Sequence, residues 1–171
     1  MSEYTPAALT TVLVRMDPSA VWTIQHGFPS SSDEGVTPFT SSLKRNSTPF
    51  SKAFSAKDVE AFSLLSLDTN EVHLDEEYAK TTLFGKRIVH GFLSGSLISA
   101  IIGTILPGRG AIYLHQEMDF VKPVYIDDLI TATVVVKDFR QDKRILFLDT
   151  QCVNSKGEVV INGNAVVKAQ E

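Results

Sequence analysis

The run FLSGSLISAIIGTIL, Phe92 to Leu106, carries no charged residue, and the fold turns on how it is read. It is shorter than the roughly 20 residues needed to span a bilayer, and its serines and glycines speak against lipid on every side. A buried core helix is expected over Gly91 to Leu106, stopped by Pro107-Gly108. Apolar nearly all round, it should be covered on most of its surface. The chain after Gly110 supplies the cover. IYLHQEMDF, LITATVVVKDF, RILFLDTQCV and VVINGNAVVKA are β-branched or alternating runs, separated by KPVYIDD, RQDK and NSKG. Asn154-Ser155-Lys156-Gly157 reads as a tight hairpin turn, where Asn and Gly tolerate φ > 0. One apolar helix followed by an antiparallel meander predicts an α+β domain with the sheet wrapped around the helix. Two layers leave one side open, and a second copy of the chain would close it. A homodimer is expected.

Upstream of the helix, PFSKAF alternates like an edge strand. Ser55 is a good N-cap with Asp58 three residues on, and Val59, Phe62 and Leu65 share a face, giving a helix over about Ala56 to Ser66. LDTNEV breaks that period, Asp75 caps a second short helix in DEEYAKTT, and LFGKRIVHG is a loop. Phe28 to Thr48 is dense in Ser, Thr and Pro and has linker composition. Before it, ALTTVLVRM and AVWTIQ fit a strand or a helix equally. The organisation expected is an extension with linker over 1–48 and one domain over 49–171.

A net charge of −4 over 171 residues gives no basic footprint, which disfavours nucleic acid. Cys152 is alone, so no intrachain disulfide forms and a reducing compartment is expected, mitochondrial matrix or cytoplasm. Acidic Glu3 before the first apolar stretch disfavours a secretory signal. The four histidines, at 26, 73, 90 and 115, are scattered. With one thiol they spell no metal site, and no cofactor is implied.

Chemistry concentrates in SLDTNEVHLDEEYA, Ser66 to Ala79. Asp68 and His73 are five apart, and on a continuous helix they would face different ways, since each residue turns the chain by about 100°. Asp-Thr-Asn breaks the helix, because Asp and Asn side chains bond nearby backbone N–H groups. The bend can aim a carboxylate and an imidazole at one point. The competing reading makes Asp68 and Asn70 turn formers and His73 a neutral, partly buried histidine. A second feature lies at Arg87-Ile-Val-His90-Gly91, the entry to the apolar helix. Helix N-termini carry unpaired N–H groups, so Gly91 is a natural donor to a carbonyl oxygen that becomes negative. Gly91, Gly95, Ser99 and Gly103 recur every four residues. Close packing explains such a stripe; the sharper reading has Ser99 facing the reacting centre.

The segments FSAKDVEAFSLLSLDTNEVHLDEEYA, FGKRIVHGFLSGSLISAIIG, LPGRGAIYLHQEMDFVKPVYIDD and NGNAVVK resemble the MaoC-like, (R)-specific enoyl-CoA hydratase family, in order and with family-like spacing, over about two-thirds of the chain. The resemblance implies a hotdog fold and the reversible hydration of trans-2-enoyl thioesters to (R)-3-hydroxyacyl thioesters, carried by CoA or acyl-carrier protein. It places the family's catalytic Asp and His on Asp68 and His73, its helix-entry glycine on Gly91 and its helix serine on Ser99. Asn70 would orient the water or the Asp68 carboxylate. The family motif G-D-x-N-P-x-H departs here at Leu67, in place of Gly, and Glu71, in place of Pro. Both changes bear on the turn and leave every reacting group in place. Lys86, Arg87, Arg109 and Lys122 are candidate cations for the carrier's phosphates; a solvated surface role competes for each. Tyr113, Phe92, His115 and Met118 are candidates for an acyl tunnel, against plain core packing. Two rivals stay open: a hotdog thioesterase, and a non-catalytic acyl-thioester-binding module.

Overall fold

Residues 12–16, 20–24, 43–44 and 50–170 are described by the computed structural model. The chain forms two compact units, Met1–Thr48 and Pro49–Glu171. In the first, strands β1 (Val12–Met16), β2 (Ala20–Ile24) and β3 (Leu43–Lys44) form an antiparallel sheet in that order. Val14 lies opposite Trp22 in the β1–β2 ladder. This settles VLVRM and AVWTI as strands. Leu43 opposite Ile24 puts part of the Ser/Thr/Pro-rich segment in a sheet too. The rest of the linker reading lies outside the described residues.

The second unit begins with edge strand β4 (Phe50–Ala53) and helix α1 (Ala56–Ser66). A full capping box starts α1: the Ser55 hydroxyl accepts from the Asp58 amide, and the Asp58 carboxylate accepts from the Ser55 amide. After it come α2 (Glu71–Leu74), α3 (Glu76–Thr81), capped by Asp75, and α4 (Gly91–Thr104). The one-turn helix α2 is a departure from expectation, which put only a turn before Asp75. Asn70 creates it by accepting the Val72 amide at 3.3 Å, the N-cap bond that Asn makes readily. Strands β5 (Ile112–Phe120), β6 (Leu129–Arg140), β7 (Ile145–Val153) and β8 (Val159–Lys168) complete the unit. The sheet is antiparallel in the order β4-β6-β7-β8-β5. At the hairpin between β7 and β8, Gly157 has φ +76, and Asn154 Oδ1 accepts the Lys156 and Glu158 amides at 3.0 Å.

Period-2 alternation sends Ile130, Ala132, Val134 and Val136 of β6, and Leu146, Leu148 and Cys152 of β7, to one buried face. Helix α4 packs on that face. Its own contribution is Leu97, Ile98, Ile101 and Ile102, each no more than 4% exposed. Burying one such side chain contributes about 1.5–3 kcal/mol. A helix of 14 residues is marginal by itself, so this packing decides its existence. The result is the hotdog arrangement, an α+β domain with the sheet around the helix. Within one chain α4 is buried on one face only, with Phe92, Ser96, Ser99 and Gly103 exposed on the other, the open side that two layers are expected to leave.

Candidate active site

The short segment between α1 and α2 carries Asp68 and turns the chain toward His73. Leu67 ends α1 in the left-handed region, at φ 63 and ψ 14. An L side chain there costs roughly 1–2 kcal/mol, and the side chain itself is 82% exposed and recovers little by packing. Beyond it, Asp68 turns outward. Its Oδ1 accepts the Asn70 amide at 3.2 Å, while its carbonyl accepts from Ser63 Oγ at 2.6 Å. One turn of α2 then brings His73 inward, where it is 8% exposed.

His73 is fixed at both ends. Its Nδ1 lies 2.8 Å from the Ile88 carbonyl, which only accepts, so Nδ1 carries a proton and Nε2 is the ring nitrogen left for the site. Its own carbonyl accepts from Arg87 Nε at 2.7 Å. A carboxylate oxygen of Asp68 and a ring nitrogen of His73 lie within 4.8 Å of each other. Two hydrogen bonds of about 2.8 Å meeting at a tetrahedral angle span about 4.6 Å, so groups near the upper end of that range would be bridged by one water.

His73 and Gly91 line one cavity of about 420 Å³, walled also by Phe84, Phe92, Ser94, Phe120, Lys122 and Ile161. Gly91 is the first residue of α4, whose leading amides have no partner within the helix. A methyl group at Gly91 would meet the Phe120 ring at 2.7 Å, so only glycine lets that ring close over the helix start. A larger hollow of about 760 Å³ lies on the sheet among Thr133, Asp149, Asn162 and Asn164. Its Asp149 is tied to Lys137 at 2.9 Å and its Asn164 to Glu117. Among the described residues no histidine lines it.

His90, Ser63, Ser94 and Phe120 escaped the sequence reading of the site. The His90 ring stacks on His73 with centroids 3.8 Å apart and planes 28° apart, and its Nε2 lies 3.2 Å from the Asp68 carbonyl. Burial lowers the His90 pKa, and the nearby His73 adds to this against the opposing hydrogen bond to Asp68. The only signal in the sequence was position, directly before Gly91. Asp68, His73 and His90 each offer an atom within 4.8 Å of the others, a spacing that invites a cation. Stacked rings argue against one. Imidazole lone pairs lie in the ring plane, and two nearly parallel planes do not converge on a single ion.

The other candidates separate. Asn70 is an N-cap and an amide donor to Asp68. Ser99 stands on the exposed face of α4 and does not line the cavity of its own chain. Lys122 lines the cavity and pairs with Glu158 at 2.6 Å, and Phe92 forms its rim, packed on Phe120 at 5.7 Å. Lys86 sits over the Tyr125 ring at 4.3 Å. Arg87, only 16% exposed, braces the His73 turn and lies 3.6 Å from Glu60, which is a different task from gripping phosphate. Arg109 follows the C-terminal end of α4, the end away from Gly91. Tyr113 bonds Gln116 at 2.7 Å, outside the cavity, and burial pushes its phenol up to about 12.

Comparison with known proteins agrees with this fold. The profile of the MaoC like domain matches residues 37–158. The (R)-specific enoyl-CoA hydratase of Rhodospirillum rubrum is 43% identical over 138 residues, covering 80% of this chain and 95% of the relative. The (R)-specific enoyl-CoA hydratase of Aeromonas caviae is 47% identical over 118 residues, 69% of this chain and 88% of the relative. The solved structure of an (R)-hydratase from A. caviae involved in PHA biosynthesis superposes with a TM-score of 0.70 at 45% identity, over 71% of this chain and 92% of that one. With its helix-wrapped sheet and its Asp–His turn, this chain belongs to the MaoC-like domain family.

Proposed function

We propose that the protein is a hydro-lyase that adds water reversibly to trans-2-enoyl thioesters, giving (R)-3-hydroxyacyl thioesters in fatty-acid metabolism. The observation that carries the reading is the Asp68 carboxylate within 4.8 Å of a His73 nitrogen, beside a cavity walled by the start of α4. The named activity of the two hydratase relatives supports it. Water held between Asp68 and His73 donates a hydrogen bond to each, leaving a lone pair for C3 of the enoyl group. As the C3–O bond forms, the pair takes one water proton, and the π electrons move onto the thioester oxygen. The Gly91 amide stabilises that oxygen at the helix N-terminus. The pair then returns a proton to C2. The two groups share the acid and base roles as a coupled unit. Run backwards, the same steps dehydrate a 3-hydroxyacyl thioester.

The phosphates of a CoA or acyl-carrier-protein thioester would meet Lys122 at the cavity wall and Lys86 beside the loop. A homodimer fits the exposed apolar surface. β5 is one of the two edges of the five-stranded sheet, and Ile112, Leu114, Phe120 and Val121 on or next to it are 49–54% exposed. Pairing two such edges would satisfy open backbone groups and cover apolar side chains together. Incubation with crotonyl-CoA tests the activity. Loss of the enoyl absorbance without free thiol is the expected result. Thiol release would mean a thioesterase, and no change would mean a binding module.

A further inference from the structure

The Asp68 carbonyl oxygen takes hydrogen bonds from two buried side chains on separate elements. Ser63 Oγ donates at 2.6 Å from the last turn of α1, and His90 Nε2 stands 3.2 Å away at the entry to α4. Ser63 is 3% exposed and His90 2%. Two donors use both lone pairs of a peptide carbonyl, so this one is saturated. His90 is held in its turn by Phe62, tilted at 5.1 Å, and by the stacked His73. Its Nδ1 is buried with no hydrogen-bond partner. An unpartnered buried nitrogen destabilises the fold, and a phenylalanine would fill the same slot without that penalty. Nor does the ring cap the helix: His90 is the N-cap residue of α4 and makes no side-chain capping bond. Its remaining connection is the N–H directed at Asp68, from a ring that burial keeps neutral.

We propose that His90 and Ser63 are positioning residues: together they clamp the Asp68 carbonyl, which fixes the carboxylate opposite His73, while the His90 ring sets the plane in which His73 presents its free nitrogen. The inference rests on the Asp68–His73 reading of the site. Neither residue lines the cavity, and both are buried behind the turn that carries Asp68. The clamp also meets a need of this sequence. Leu67, at φ 63, leaves the turn less settled than glycine would, and two outside donors hold the following peptide in one orientation.

Kinetics of three variants with crotonyl-CoA test it. His90→Phe keeps the stack and the volume but has no donor; His90→Gln offers an N–H where Nε2 stands; Ser63→Ala removes the second donor. A shift of about 1 Å in a reacting group costs up to about a hundredfold, so His90→Phe and Ser63→Ala should each lower kcat about 10- to 100-fold. KM should stay within about threefold, since uniform binding is untouched. His90→Gln should recover most of what His90→Phe loses. A folded His90→Phe protein with wild-type kcat overturns the clamp. Should that variant not fold, imidazole ¹⁵N NMR of the wild type decides at pH 7. A neutral His90 protonated on Nε2 supports the proposal; protonation on Nδ1, or a charged ring, overturns it. A wild-type protein that hydrates nothing overturns the functional reading instead, and the two failures are thereby distinct.

Discussion

At the scale of single residues, the proposed hydration depends on Asp68 and His73. Asp68→Asn and His73→Gln should each lower kcat by at least about a hundredfold with the fold retained, because general acid–base groups contribute about 10²–10⁴-fold. Steady-state kinetics beside a circular dichroism melt checks this. His90 adds a pH dependence. Its folded pKa is lowered below the ordinary imidazole value of 6.5, first by burial, so the unfolded chain binds more protons in the window just below that value. Stability should therefore fall as pH drops through about 6.5 and level off below the folded pKa. Denaturant melts from pH 8 to 5 should show a shallower decline in His90→Gln than in wild type. Leu67 gives a conformational test. At φ 63 a β-branched side chain is worse than Leu and glycine is free of the clash. Leu67→Val should cost about 1–2 kcal/mol and Leu67→Gly less than about 1 kcal/mol.

Elements whose signal is periodic or local were readable in the chain. The start of α1 follows from Ser55 and Asp58, and the bounds of β5 to β8 from alternation and turn residues; of the expected Val59–Phe62–Leu65 face Val59 is buried, while Leu65 is 85% exposed. Ser55→Ala removes half of the capping box and should cost about 1 kcal/mol, measured by chemical denaturation. α2 was not readable, since a single helical turn has too few residues to show a period and exists because Asn70 caps it. The pairing of Asp68 with His73 could be read as a possible bend, since Asp and Asn interrupt helices. What no local pattern showed was long range: Ser63 and His90 meeting on one carbonyl across 5 and 22 residues of sequence. Arg87 likewise resembled a free cation until its bond to the His73 carbonyl, 14 residues back, was seen. Ser99 illustrates the reverse. Its spacing from Gly91 suggests a shared stripe, but eight residues of helix rotate it onto the exposed face of α4.

At the scale of the whole molecule, an open sheet edge and a half-covered helix call for a second copy. Light scattering at micromolar concentration should give twice the 18.8 kDa chain mass, and a stable monomer would remove the homodimer from the account. Residues 1–48 form a unit of their own, so a protein starting at Pro49 should keep both its assembly and most of its kcat. Insolubility or loss of activity on truncation would make the first unit part of the working fold. The central claim is that Asp68, His73 and the Gly91 amide, fixed on one loop–helix unit, deliver water to one face of an enoyl thioester. Chiral analysis of the product formed from crotonyl-CoA tests it most directly. The account predicts (R)-3-hydroxybutyryl-CoA in large excess, with no free thiol; a predominantly (S) product, or a racemate, would contradict it.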